Sequence, residues 1–272
     1  MKNNNLVKIT AKLAHYAPCS VSREREQGWS TERVYEWGKV VAFAKETINI
    51  DDQLVLLGIL KAFQENPYNI KEGELREDKP TSTLTMSLDK LMKDYLKTHN
   101  RKFVEESLTR LISWKVIFSY NKGVVNPQEY LVDFKIFIED GIFKVTLTIN
   151  KNFYQACIKQ GLLLDYYAIK KLKSNIAKAI YMYIGAKSTP CFYQDTIEKA
   201  LDMDKTNMKS WDKREKIKEA LEILKKNDLI THYTCEKKDG DYLFTIVKRQ
   251  LIQKDQQELS EELVHLIDIA VD

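Results

Sequence analysis

The chain has 272 residues, 30% of them charged, yet 43 Lys and Arg against 39 Asp and Glu leave a net charge of only +4. A hydrophobic content of 44% fills the cores of one large or two small domains and excludes intrinsic disorder over most of the length. Nine Gly and five Pro argue against collagen-like, loop-dominated or glycine-rich nucleotide-cradling architectures. The longest wholly apolar run, Leu54 to Leu60, is too short to cross a bilayer, and Met1 to Asn5 lacks the apolar stretch of a signal peptide. A cytoplasmic protein with no membrane partner is expected. Cys19, Cys157, Cys191 and Cys235 form no CxxC pair, and His15, His99, His232 and His265 are equally scattered. Neither a metal nor any other cofactor is therefore expected, and the thiols are read as reduced and mostly buried.

In chain order, residues 1–50 read as an N-terminal helical extension packed on the first domain. Glu32 to Lys45 is its helix, with Val34, Trp37, Val41 and Phe43 facing inward. Asp51 to Asn66 predicts a central helix, apolar nearly all round and capped by Asp51 or Asp52. Pro67 to Pro80 reads as a loop, and Thr81 to Met86 alternates as a strand. Ser87 opens a second helix through Leu96, broken by a turn at Thr98 to Asn100. Asn100 then caps a third, in which Val104, Leu108, Leu111 and Ile112 recur at helical spacing. Val116 to Tyr120, Tyr130 to Ile138 and Phe143 to Ile149 alternate as strands.

The same order recurs downstream. Ile169 to Tyr183 predicts a long helix, Thr189 to Tyr193 a strand, Asp195 to Leu201 a helix and Asp202 to Asn207 a turn. A helix from near Thr206 carries Ile217, Ala220, Leu221 and Leu224 on one face. Leu229 to Cys235 and Tyr242 to Val247 form a hairpin with Lys237, Lys238 and Gly240 at its tip. Helix, strand, helix, turn, helix and two-stranded wing is a winged helix-turn-helix. The expected fold class is α+β, predominantly helical. Two tandem winged helix-turn-helix domains occupy 51–150 and 151–250, and an acidic tail, read as helical, occupies 251–272.

Charge singles out the second half. Residues 151–250 hold 20 Lys or Arg against 13 Asp or Glu, a net of +7, while 251–272 hold one Lys against six acids, a net of −5. The excess clusters where a helix-turn-helix touches DNA: Lys205, Lys209, Lys213, Arg214 and Lys216 on the last helix, Lys237 and Lys238 on the wing, and Lys170, Lys171 and Lys173 on the first helix. Such cations neutralise phosphates and release counterions. The competing reading is a solvated lysine-rich surface, with Asp212, Glu215, Glu219 and Glu222 on the face away from the core.

Other motifs point nowhere. Gly185 to Thr189 (GAKST) resembles a phosphate loop but follows a helix and precedes a strand, the wrong context. No histidine pair flanks a hydrophobic residue as metal-dependent DNA nicking requires, and a tyrosine nucleophile has no support. Gln53 to Leu57 loosely resembles a sliding-clamp docking peptide but reads as core. Trp211 is expected to pack against the wing rather than stack on a base or sugar.

The stretches Ser174 to Tyr183, Thr189 to Tyr193, Asp204 to Trp211, Glu219 to Leu224 and Leu229-Ile230 together resemble the C-terminal winged helix of plasmid replication initiators of the TrfA type. In that family an origin-binding helix carries a Lys-x-Trp element, matched here by Lys209 and Trp211. Asp51 to Val55 and Tyr95 to Ile112 resemble its first domain, so the likeness spans about residues 35–250. It implies a bacterial protein that binds repeated double-stranded sites (iterons) in a plasmid origin, opens neighbouring AT-rich DNA and recruits host replication proteins. Those partners are a helicase loader or helicase and a sliding clamp; a homodimer is a further expectation. Two departures stand out: the family's N-terminal clamp motif has no equivalent here, and the acidic tail has no counterpart.

The function expected is a non-enzymatic initiator of plasmid replication. Thr206, Asn207, Lys209, Ser210, Lys213 and Arg214 are the base or phosphate candidates of the second domain, and Arg101, Lys102 and Arg110 those of the first. Two alternatives use the same fold: a transcriptional repressor or autoregulator, and a protein-interaction module that binds no DNA.

Overall fold

The computed structural model describes residues 6–248 apart from positions 11, 17–18, 23, 36–37, 75–78, 121–122, 125–127, 186–189 and 204–206. The tail at 251–272 lies outside the described residues.

The N-terminal segment is built of strands, which corrects the expected helical extension. It contains β1 (Leu6–Ile9), a π-helical turn (Lys12–Tyr16), β2 (Ser30–Tyr35) and β3 (Gly38–Phe43). Glu32 to Lys45 is thus a hairpin. Thr31 and Arg33 on β2 and Val40 and Ala42 on β3 are buried, an alternation of period two rather than 3.6. Gly38 starts the return strand at φ 148, and a Cβ there would lie 2.0 Å from the Ser119 carbonyl oxygen. Val34 and Phe43 face outward, opposite to expectation, and Trp37 lies outside the described residues.

Helix α1 (Ile50–Glu65) is buried on nearly every side. Its cap is Asn49 rather than Asp51 or Asp52. Asn49 Oδ1 accepts from the Asp51 and Asp52 N–H groups, and the Asp52 carboxylate accepts from the Asn49 N–H at 3.1 Å, a reciprocal capping box. Part of the expected loop is β4 (Ile70–Glu74), which borders β5 (Pro80–Ser87). Short helix α2 (Leu88–Lys90) runs into a π-helical turn (Leu91–Tyr95), and α3 (Arg101–Ser113) starts where Asn100 Oδ1 accepts from the Phe103 N–H at 3.0 Å. β6 (Lys115–Tyr120), β7 (Gly123–Val124), β8 (Gln128–Glu129), β9 (Leu131–Glu139) and β10 (Ile142–Asn150) follow. One sheet has the order β4-β5-β10-β9; another is β2-β3-β6-β7 with β8 also on β6.

The junction between the halves holds two elements the sequence reading missed, α4 (Lys151–Gln160) and β11 (Leu162–Asp165). β11 pairs antiparallel with β1, Leu6 opposite Asp165 and Ile9 opposite Leu162. The Gln64 side chain of α1 bonds both the N–H and the carbonyl of Lys8, at 2.9 and 2.8 Å, and Lys8 Nζ donates to the Ile158 carbonyl. The expected long helix is two, α5 (Tyr166–Lys171) and α6 (Asn175–Gly185), because Ser174 Oγ accepts from the Ala177 N–H and starts a new helix. Then come β12 (Cys191–Tyr193), α7 (Gln194–Ala200), α8 (Ser210–Lys226), β13 (Ile230–Lys238) and β14 (Asp241–Lys248).

The sheet order β12-β14-β13 repeats the order β5-β10-β9, each beside three helical elements. Helix accounts for 43% and strand for 38% of the described residues, so the protein is evenly mixed rather than predominantly helical. No helix among the described residues is long and apolar enough to cross a membrane. Cys19 and Cys157 are buried, Cys235 is half-buried and Cys191 exposed.

Gly58 sits where α1 meets the π-helical turn and α5. A Cβ there would lie 2.6 Å from Leu96 Cδ2, 2.7 Å from Tyr166 Oη and 3.1 Å from the Tyr95 carbonyl oxygen. Overpacking costs about 1–3 kcal/mol and the gain in helix propensity is about 1 kcal/mol. Gly58→Ala should therefore lower stability by up to about 2 kcal/mol in a urea titration; an unchanged midpoint would mean that Leu96 and Tyr166 give way.

Candidate nucleic-acid interface

The start of α8 carries most of the exposed candidates. Lys209 precedes the helix, and Ser210, Trp211 and Lys216 lie in its first two turns, all exposed. Gln194 at the start of α7 donates from Nε2 to the Ser210 carbonyl and Oγ at 2.7 and 2.9 Å, which fixes one helix start against the other. Trp211 is 56% exposed.

Arg214 turns toward the hairpin, its guanidinium 3.9 Å from the centre of the Tyr242 ring. Tyr242 is paired with Lys237 and Asp241 with Lys238. The contact therefore sets Lys237, on the same face of the hairpin as Tyr242, beside the first turns of α8, while Lys238 lies on the opposite face. Stacking also pre-orients the guanidinium, whose remaining N–H groups suit a phosphate.

Other candidates are placed elsewhere. Lys213 is turned inward, Nζ 3.2 Å from Glu198 Oε2 with both side chains about a tenth exposed, so it bonds α7 to α8 rather than facing solvent. Lys171 and Lys173 are exposed, whereas burial lowers the pKa of half-buried Lys170 against the pull of Asp51. Asn207 lines a cleft of about 380 Å³ with Glu24, Glu26 and Asp202, an acidic setting unsuited to phosphate. Lys205 and Thr206 lie outside the described residues, as does most of the GAKST stretch.

The first half presents different chemistry on the same plan. Arg101 is exposed at the start of α3, but its Nε lies 2.6 Å from Glu105 and its guanidinium 4.2 Å from the centre of the Phe143 ring. Lys102 lies 3.9 Å from Glu106. The tip of the β9–β10 hairpin exposes Ile138, Ile142 and Phe143 around Glu139 and Asp140, with Lys144 paired to Glu139. Arg110 is not on the surface at all. Its Nε and Nη2 both donate to Asp52 Oδ1 at 3.0 Å, Nη2 also reaches Ser107 Oγ, and Nη1 lies 3.5 Å from Glu46. Asp52 is fully buried and is bonded by Arg25 too, while neighbouring Asp51 pairs with Lys178 of α6 at 2.8 Å. Two consecutive acids thus tie the N-terminal segment, α3 and α6 to α1.

Arginine on an aromatic ring of the last hairpin strand, Arg101 on Phe143 and Arg214 on Tyr242, is a repeated feature that sequence reasoning missed. Only the repeated order of elements could have suggested it. Among the described residues no group of three His, Cys, Asp or Glu is placed to hold a metal ion.

No protein family profile matches the chain, and no curated protein is significantly similar to it in sequence. Solved structures do share its fold. The crystal structure of the RctB domains 2-3 matches with a TM-score of 0.55 and 12% identity over 91% of this chain and 99% of that one. A selenomethionine derivative of domain 2 and domain 3 of RctB matches with the same score and identity over 87% and 97%.

Proposed function

We propose that the chain is a non-enzymatic initiator of plasmid replication, made of two tandem winged helix-turn-helix domains and led by the second in binding repeated double-stranded DNA sites. The observation that carries the reading is the contact of Arg214 with Tyr242, which sets the hairpin face bearing Lys237 beside the first turns of α8, where Lys209 and Lys216 are exposed. The fold is compatible with it, being shared with domains 2 and 3 of RctB. A helix start in the major groove with a wing on the adjacent backbone is how this arrangement reads DNA. Binding promotes opening of the adjoining AT-rich DNA, and helicase loading falls to recruited host proteins.

Changing Lys209, Lys237 and Lys238 together to alanine should weaken binding to every DNA sequence. It should also flatten the log–log dependence of affinity on salt by about 2.7 units, roughly 0.9 for each lost phosphate contact. Lys213→Ala should leave that slope alone. Anisotropy titrations between 50 and 200 mM salt check both; an unchanged slope in the triple variant removes DNA from this surface. Footprinting separates an initiator from a repressor. Tandem direct repeats should be protected, with permanganate-reactive thymines in adjoining AT-rich DNA, whereas protection confined to an inverted repeat marks a repressor.

A further inference from the structure

We propose that Gln194, Glu198 and Lys213 are positioning residues: they hold the start of α8 in one orientation on α7 and so set how sharply its exposed turn discriminates between DNA sequences, without touching DNA themselves. The proposal rests on the reading of α8 as the DNA-facing helix.

The three side chains make two rungs between the helices, and each is more than nine-tenths buried. Gln194 and Glu198 lie four residues apart on one face of α7, and Ser210 and Lys213 three apart on one face of α8. Gln194 Nε2 holds the Ser210 carbonyl and Oγ, and Glu198 Oε2 holds Lys213 Nζ at 3.2 Å. Gln194 Nε2 also reaches Glu198 Oε1 at 2.6 Å, which ties the rungs together. Only the amide nitrogen fits that place, because the Ser210 carbonyl and the Glu198 carboxylate are both acceptors. Gln194 Oε1 is left buried without a partner. The start of α8 has no local substitute for these bonds: Lys209 at its N-cap makes no side-chain capping bond, whereas Asn49 and Asn100 cap α1 and α3 with theirs.

Polar rungs fix what an apolar seam does not. Aliphatic side chains repack when one helix shifts on another, while a buried ion pair is satisfied in one register and left uncompensated in every other. A roll of about 20° about the axis of a helix roughly 11 Å across moves its side-chain tips by about 2 Å. A hydrogen bond to a base edge does not survive that displacement, whereas a lysine on its flexible stem still meets a phosphate as a point charge. Exposed Lys209 and Lys216 therefore keep their hold on the backbone if the rungs are lost, and exposed Ser210, which Gln194 holds directly, loses its register on a base. Discrimination falls while affinity for DNA in general stays.

The test uses the full chain and the duplex that it enriches most from a random pool. Glu198→Met and Lys213→Met together replace the charged rung with apolar side chains of similar length, a change that buried ion pairs commonly survive without loss of fold, and leave the net charge as it was. Preference for the enriched duplex over a scrambled one should fall about 10-fold, the size of one lost base contact, while affinity for the scrambled duplex stays within about 2-fold and keeps its salt dependence. Glu198→Lys with Lys213→Glu rebuilds the rung with its charges reversed and gives Gln194 Oε1 a donor, so it should return most of the preference. An unchanged preference in the methionine variant would overturn the proposal, and so would an equal loss on both duplexes, which is what a partly unfolded domain gives. A measurement without DNA keeps the two readings apart: amide hydrogen exchange over residues 213–217 should quicken about 10-fold in the methionine variant and slow again in the charge-reversed one. If the unaltered protein enriches no sequence, the DNA reading ends; exchange that quickens and is then reversed would still uphold the positioning of α8, and exchange unchanged in both variants would overturn it.

Discussion

Arg110→Ala should lower the free energy of unfolding by about 3–5 kcal/mol, while leaving the salt dependence of DNA binding untouched. The guanidinium supplies two 3.0 Å hydrogen bonds to the fully buried carboxylate of Asp52 and is itself almost wholly buried. Removing it leaves an acid in the interior with only Arg25, a quarter exposed, as a cationic partner. Breaking a buried pair costs more than the pair contributes, because the abandoned charge keeps its desolvation penalty. Urea titration measures the loss. A drop below about 1 kcal/mol would place Arg110 among ordinary surface cations, where its sequence position alone had put it.

Leu221→Ala should cost about 2–5 kcal/mol, by the same titration. Leu221 is fully buried with Ile217, Ala220 and Leu224 on the stripe by which α8 packs on α6 and β13. Deleting its methyl groups forfeits their transfer from water and leaves a cavity that helices pinned at both ends cannot close. A loss near half a kcal/mol would put that face in solvent and make α8 something other than a core helix.

Much of this frame is legible in the sequence because it is local. The apolar spacing in α3 and α8, the Asn100 cap and the alternation in β9, β10, β13 and β14 each announce themselves within a dozen residues. The N-terminal hairpin does not. Val34 and Val41 fit a helical face on paper, and only the partner strand β6 shows that Arg33 and Val40 point inward instead. β1 and β11 are invisible for a related reason, since two four-residue strands at opposite ends of more than half the chain carry no periodicity of their own.

The candidate site divides along the same line. Lys209, Lys216, Lys237 and Lys238 are exposed, as their surroundings suggest, but Arg110 and Lys213 look no different in sequence. What distinguishes them is an acid brought beneath each by tertiary packing, Asp52 from 58 residues upstream and Glu198 from the preceding helix. The apolar tip of the first hairpin was equally hidden, because Ile138, Ile142 and Phe143 continue the alternation of strands whose inner residues are core.

The strand that closes over the junction has a mechanical consequence. Four register pairs between β1 and β11 must open before one half of the protein can rotate against the other. On the proposed DNA-binding reading, such a frame would act as a caliper that measures helical phase. On that reading, five base pairs inserted between the DNA faces opposite the two halves would amount to about half a turn of the duplex. They would carry one contact to the opposite side, where the frame cannot follow without unzipping its own first strand.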